Sequence, residues 1–97
     1  MKRTFTVIGL GAFGSTVARE LARLGNDVLG IDLDPEHVNA IADDITQAVV
    51  ADARNEDTLR DLGVHDSDAV VVAIGEDLEA NIPVSYTHLT LPTTPYV

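Results

Sequence analysis

A glycine-rich turn between an apolar strand and an amphipathic helix constrains this chain more than any other feature. Thr4–Ile8 combines β-branched and aromatic residues, and the turn Gly9–Gly14 follows it at once. Apolar residues then recur at helical spacing as far as Leu24, and Gly25 supplies a stop signal. Gly-x-Gly-x-x-Gly is common by chance, but in this context it predicts a strand, turn and helix that leave backbone N–H groups exposed at the helix start.

Strands and helices alternate along most of the remaining chain. Further strands are predicted at Asp27–Ile31, Thr46–Val50 and Asp68–Ile74, with one helix opening after Asp34 and another at Asn55. Because these strands are apolar throughout, they belong to a parallel sheet that is covered on both faces. Right-handed crossovers then give the strand order 3-2-1-4. The predicted fold class is α/β, a Rossmann-type doubly wound parallel sheet that is truncated after about four strands.

Each glycine of the turn has a physical task. Gly9 permits the tight turn, Gly11 lets a phosphate approach the backbone because it has no Cβ, and Gly14 lets the helix pack against the strand. The start of the helix offers free N–H donors and about half a positive charge. We therefore predict that the phosphates of a nucleotide bind at Gly9, Gly11, Ala12, Phe13 and Gly14.

An acidic residue ends the second predicted strand. Asp32 lies 18 residues after Gly14, where a carboxylate can accept hydrogen bonds from the two ribose hydroxyls of an adenosine. The same carboxylate opposes a 2′-phosphate, and no Arg or Lys occurs between Asp32 and Ile45. The predicted cofactor is therefore NAD(H) or ATP/ADP, and NADP(H) is disfavoured.

The third and fourth strands end at the same edge of the sheet. Asp52 and Ala53 follow the third strand, and Ala73, Ile74 and Gly75 end the fourth. Open parallel sheets bind ligands at this carboxyl edge, so all five residues are predicted to line the nucleotide site. From there Asp52 can reach the amino group of adenine.

Charge and composition exclude several classes of partner. Sixteen acidic residues against six basic ones give a formal net charge of -10, which repels nucleic acid and anionic membrane surfaces. No apolar run approaches the roughly 20 residues of a membrane-spanning helix, so no direct membrane insertion is expected. The chain has no cysteine, and its first residues run into a strand rather than a signal peptide. These features favour a cytoplasmic location.

The sequence predicts neither a catalytic residue nor a metal site. No nucleophile elbow is present, and Ser15 is interpreted as a residue of the first helical turn. His37 and His65 have no second His or Cys at ligand spacing, so both are interpreted as solvated. A solvated acidic face, rather than a cation site, is the interpretation for Asp66, Asp68, Glu76, Asp77 and Glu79.

The composition changes abruptly near residue 82. Residues 83–97 contain no Asp, Glu, Lys or Arg but hold three of the four prolines. The segment from Pro83 to Thr94 resembles the translation of a sequencing adaptor, which would make His88 chemically meaningless. We therefore predict a C-terminally truncated nucleotide-binding domain at residues 1–82 and a non-native tail at residues 83–97; a docking tail is the alternative.

Four blocks together carry a family resemblance: Val7–Gly14, Val28–Asp32, Ala51–Ala53 and Val70–Gly75. Over residues 4–82 the chain resembles the N-terminal RCK domain (regulator of potassium conductance) of Ktr/Trk-type potassium-uptake regulatory proteins. The resemblance implies a cytoplasmic nucleotide sensor rather than an enzyme. It implies that the full-length protein forms dimers or rings, and that NAD(H), ATP or ADP gates an integral-membrane potassium transporter at the inner face of the membrane.

The resemblance also implies roles for individual residues. Many members carry Arg where this chain has Ala12, and that guanidinium is placed to meet the terminal phosphate of ATP; the identity of the nucleotide therefore stays open. The implied roles are phosphate binding by Gly9, Gly11 and Gly14, ribose binding by Asp32, and adenine binding by Asp52 and Ala53.

Two other interpretations are compatible with the sequence. The chain can be the cofactor-binding fragment of an NAD-dependent dehydrogenase whose catalytic domain lies downstream, because the fold alone does not distinguish a sensor from an enzyme. It can also be a fragment that binds nothing because its sheet is incomplete.

Overall fold

The computed structural model describes residues 2–74, which form a four-stranded parallel sheet with helices on both faces. Gly75, the acidic residues Glu76, Asp77 and Glu79, and the predicted tail at residues 83–97 lie outside the described residues. In chain order the elements are β1 Thr4–Ile8, α1 Ala12–Arg23, β2 Asp27–Asp32, α2 Pro35–Ile41, β3 Gln47–Val50, α3 Glu56–Asp61, a 3₁₀ helix Val64–Asp66, and β4 Ala69–Val72.

The strand order is β3-β2-β1-β4, as predicted. All three pairings are parallel, with Ile8 level with Ile31 on one side and with Val72 on the other. The carboxyl ends of the strands therefore meet at one edge. Because the chain leaves β3 and returns beyond β1, the switch in direction falls between β1 and β4, where doubly wound sheets open a crevice.

Two apolar clusters cover the two faces of the sheet. On one face, Val7 and Val28 pack with Ala18 of α1 and with Val38 and Ile41 of α2. On the other face, α3 and the 3₁₀ helix contribute Leu59 and Val64, which pack against residues of β1, β2 and β4. Every residue of β4 is buried, as expected for a strand covered on both sides.

The helix boundaries follow local capping. The Asp34 carboxylate accepts from the Glu36 N–H at 2.9 Å, and Pro35 occupies the first helical position of α2. The Asn55 side chain accepts from the Thr58 N–H at 3.1 Å to open α3. Within residues 2–74, the helices are too short or too polar to cross a membrane.

Candidate functional site

A crevice opens at the carboxyl edge of the sheet. It encloses a cavity of about 110 Å³ whose walls come from the ends of all four strands. The lining residues are Ile8, Gly9, Ile31, Asp32, Leu33, Ala51, Asp52, Ala53 and Ile74. The walls are thus mainly apolar and include two carboxylates, which suits a flat base carrying a polar sugar.

The structure distinguishes the three glycines of the turn. Gly9 has a φ of +96°, and a Cβ there would lie 2.6 Å from the Ala73 carbonyl oxygen. A Cβ on Gly14 would overlap the carbonyl oxygen of Gly9, so α1 can lie this close to the turn only with glycine. At Gly11 a Cβ would meet nothing within 4 Å. Gly9 and Gly14 therefore serve packing, whereas Gly11 faces open space.

Helix α1 begins directly at the turn. Gly11 is its N-cap and makes no side-chain cap hydrogen bond, while its carbonyl accepts from the Ser15 N–H at 2.9 Å. The first N–H groups of a helix have no hydrogen-bond partner within the helix, and in α1 these include the N–H groups of Ala12 and Phe13. Phe13 is 38% exposed despite its helical spacing with the apolar residues of α1. The turn thus adjoins the crevice, although Gly11, Ala12 and Phe13 do not line the cavity.

Asp32 joins the end of β2 to the glycine turn. Its Oδ2 accepts from the Leu10 N–H at 2.7 Å, and its Oδ1 accepts from the Asp34 N–H at 2.8 Å. Burial alone would raise the pKa of Asp32, but hydrogen bonds from Asp34, Leu10 and His37 outweigh burial and hold the pKa below its ordinary value. The side chain, 15% exposed, is therefore an anion aimed at the turn.

His37 corrects the interpretation of that residue as merely solvated. The ring is 46% exposed, yet its Nδ1 lies 3.1 Å from Asp32 Oδ2 and its Nε2 lies 3.7 Å from Asp34 Oδ2. His37 is the third residue of α2, a position that faces the N-cap residue, and this helical register was the available signal. No Arg or Lys occurs between Asp32 and Ile45, but His37 can carry positive charge beside Asp32.

Asp52 lines the cavity, but its carboxylate is already engaged. The Arg54 guanidinium donates to it twice, from Nε to Oδ1 at 2.9 Å and from Nη2 to Oδ2 at 2.8 Å, and the Arg54 N–H donates to Oδ1 at 2.9 Å. These bonds, the side-chain ones first, lower the pKa of Asp52 to about 2. The sequence did not predict that Arg54 takes part.

The remaining predicted residues lie where β3 and β4 end. Ala53 is buried at 8% exposure and lines the cavity with Ile74. The Ala73 N–H donates to the Ile8 carbonyl at 2.8 Å and extends the ladder between β4 and β1 by one bond. Gly75 lies outside the described residues. The cavity therefore brings together Gly9, Asp32, Asp52, Ala53 and Ile74.

The chain is similar to a known domain family and to named proteins. The TrkA-N domain model matches residues 5–94, a span that extends into the predicted tail at residues 83–97. The Ktr system potassium uptake protein A of Bacillus subtilis (strain 168) is 44% identical over 79 residues, which cover 81% of this chain and 36% of that protein. The chain thus spans little more than a third of that relative's length.

Two solved structures resemble the fold closely. The first is the NAD(P)-binding domain of an exopolyphosphatase-related protein from Archaeoglobus fulgidus, with a TM-score of 0.77 and 28% identity over 91% of this chain and 67% of that one. The second is the Kef CTD of Shewanella denitrificans in an AMP-bound form, with a TM-score of 0.70 and 28% identity over 88% of this chain and 51% of that one.

Proposed function

The chain belongs to the TrkA-N domain family, and from this membership we propose that it is the nucleotide-sensing part of a regulatory subunit that gates a potassium uptake transporter. The ligand is NAD(H) or ATP/ADP. One observation carries the proposal: Asp32 accepts from the Leu10 N–H at 2.7 Å. An anionic acceptor and the glycine turn therefore face the same crevice, as a ribose and its phosphate require.

The contributions to affinity come from different parts of the crevice. The helix dipole contributes only about 0.3–1 kcal/mol per anion, whereas a micromolar complex requires about 8 kcal/mol. Charge-assisted hydrogen bonds from ribose to Asp32 add about 1.5–3 kcal/mol. Burial of the base against Ile31, Ile74 and Leu33 supplies much of the remainder, since apolar area contributes about 25 cal/mol per Å².

The charge of the crevice favours ligands without a 2′-phosphate. Asp32 is anionic and Asp34 lies two residues away, so a 2′-phosphate would meet two carboxylates, and the positive charge that His37 can carry is shared with both of them. The AMP carried by the Kef structure supports an adenine nucleotide in this chain as well. Ala12 cannot supply a guanidinium for the terminal phosphate of ATP. ADP and NAD(H) do not have that phosphate, so their binding does not require the missing contact.

A regulatory role fits the family better than an enzymatic one. The relative in Bacillus subtilis is named a potassium uptake protein. In the proposal, the full-length protein is a cytoplasmic dimer or ring that lies at the inner face of the membrane through its transporter partner. No specific observation favours the alternative that the chain is the cofactor-binding fragment of a dehydrogenase.

Nucleotide titration of the full chain tests the binding step. Calorimetry with NADH, ADP, ATP and NADPH should give saturable binding, with NADPH weaker than NADH by about tenfold because one phosphate opposes Asp32. Binding of NADPH tighter than NADH would contradict the role of Asp32, and failure of all four ligands would contradict the nucleotide site.

Potassium uptake tests the regulatory step separately. Deleting the gene from its native cells, with other potassium uptake systems disabled, should reduce rubidium or potassium uptake, and re-expression of the full-length gene should restore it. Unchanged uptake alongside intact nucleotide binding would contradict the transporter partner but leave the binding site standing.

A further inference from the structure

We propose that His37 makes nucleotide affinity at the Asp32 site depend on pH, because it occupies an acceptor position on Asp32 that the ribose hydroxyls need. The inference rests on the proposed nucleotide binding. His37 lies outside the cavity lining and would act through the acceptor positions that it shares with the ligand on Asp32.

The Asp32 carboxylate has few free acceptor positions. A carboxylate offers about four lone-pair sites. The Leu10 N–H and His37 Nδ1 both lie at Oδ2, at 2.7 Å and 3.1 Å, and the Asp34 N–H lies at Oδ1 at 2.8 Å. Three of the four sites are therefore in use.

The three donors differ in how easily they can leave. The Leu10 and Asp34 N–H groups are fixed by the turn and by the start of α2, so moving them means deforming the backbone. The His37 ring is 46% exposed and can rotate about its side-chain torsions. Two ribose hydroxyls need two acceptor sites, so bidentate binding of the ribose displaces His37.

Displacement is harder when the ring is charged. Asp32 faces the ring from the end of β2, Asp34 faces it from the N-cap, and Glu36 lies beside it on α2. Strand β3, which also packs against α2, has no ionisable residue in Gln47–Val50. Helix α1 brings Arg19, whose Nη2 donates to the Ala40 carbonyl at 3.3 Å, about one turn beyond His37 on α2. The hydrogen bond to Asp32 is the main cause that raises the pKa of His37, against a smaller opposing effect of desolvation, with further support from the charges of Asp32, Asp34 and Glu36.

The sign of the pH dependence follows directly. Protonated His37 holds Asp32 more tightly than neutral His37, so protons favour the ligand-free state. The affinity for a nucleotide with a free ribose diol therefore rises as pH rises through the pKa of His37. NADH is the suitable probe because its phosphodiester groups do not titrate in this range.

The primary experiment is NADH titration of the full chain at pH 6.0 and pH 8.5. The wild type should bind about two- to fivefold more tightly at the higher pH, the fold-change that corresponds to an exposed ion pair. His37→Gln should bind with the same affinity at both values because glutamine does not titrate. His65→Gln is the matched control, since His65 lies before β4 at the opposite edge of the sheet, and it should keep the wild-type dependence. An equal pH dependence in His37→Gln would overturn the inference.

A second measurement tests the hydrogen bond between His37 and Asp32 directly. NMR titration of the His37 ring protons should show a lower pKa in Asp32→Asn and in the NADH complex than in the free wild type. An unchanged pKa in the complex would show that the ring stays on Asp32 and would overturn the inference. NADH binding that does not vary with pH would overturn only this inference, whereas absence of NADH binding at both pH values would overturn the proposed function with it.

Discussion

The two sides of the crevice hold their carboxylates in different ways. On the turn side, Asp32 is 15% exposed and is bound by backbone N–H groups from two separate segments. On the β3 side, Asp52 is 37% exposed and is bound chiefly by a neighbouring side chain, Arg54. Backbone donors therefore fix the position of Asp32, whereas the Arg54 side chain mainly fixes the position of Asp52.

This difference separates the expected consequences of mutation. Backbone donors fixed by a turn and a helix start cannot follow a substituted side chain, so substitutions of Asp32, or of the glycines whose Cα is packed against the turn, should affect both stability and binding. A side-chain pair at the surface is worth little because solvent screens it and long side chains lose entropy. Changes on the β3 side should therefore adjust binding without disturbing the fold.

Gly14→Ala should cause the largest loss of stability, because it disrupts the packing of α1 against the glycine turn. Its Cβ would overlap the Gly9 carbonyl oxygen, and α1 would have to move away from β1. Overpacking of this kind costs about 1–3 kcal/mol, which outweighs the helix propensity of about 1 kcal/mol that alanine gains over glycine. Chemical denaturation should show a loss of stability, and NADH binding should fall with it.

Gly11→Ala is the matched control for that experiment. The same methyl group at Gly11 meets nothing within 4 Å, and its φ of -70° suits any residue. We expect stability to fall by about 1 kcal/mol or less, because alanine is only somewhat poorer than glycine as an N-cap residue. NADH affinity should fall because the methyl group occupies the space through which a phosphate would approach the backbone. Equal destabilisation by the two substitutions would contradict the division of tasks between the glycines.

Asp32→Asn should have the next largest effect, mainly on binding and to a smaller extent on stability. Asparagine keeps an oxygen for the Leu10 N–H, but its amide nitrogen cannot accept from the Asp34 N–H, and the charge that strengthens bonds to the ribose hydroxyls is lost. NADH affinity should fall by about tenfold or more, since such bonds contribute about 1.5–3 kcal/mol, and the preference for NADH over NADPH should narrow. Asp27→Asn, at the other end of β2 and paired with Lys2, should leave both affinities unchanged in the same calorimetric titration.

Much of the fold could be predicted because it depends on repeated patterns. Uniformly apolar strands alternating with helices gave the parallel sheet and its order, and both are confirmed. The predicted strand ends were less accurate. Thr46 was predicted to start β3, but its hydroxyl oxygen accepts from the Val28 N–H at 3.0 Å and the strand starts at Gln47. Ala73 and Ile74 were predicted in β4, but the strand ends at Val72. The Ala73 N–H still donates to the Ile8 carbonyl, and both residues lie against Gly9.

The site was predictable only as far as strand ends and the glycine turn define it. That Asp32 lies at the crevice follows from its position at the end of β2. The side-chain partners His37 and Arg54 do not follow from strand order, because each depends on a helical register or a local turn that selects one rotamer. The site assignments themselves remain predictions that the binding experiments test.

Arg54→Ala should have the smallest effect and gives the sharpest test of the contrast between the two sides. With Arg54 in place, Oδ2 of Asp52 accepts one hydrogen bond from it and keeps a second acceptor site, which an adenine amino group can use. Arg54 then acts as a positioning residue that keeps this oxygen charged and oriented. Its removal should weaken NADH binding by less than about threefold, with no change in the denaturation midpoint, because the pair is solvent-exposed. A loss as large as that of Asp32→Asn, measured in the same titration, would mean that the β3 side is as strongly constrained as the turn side.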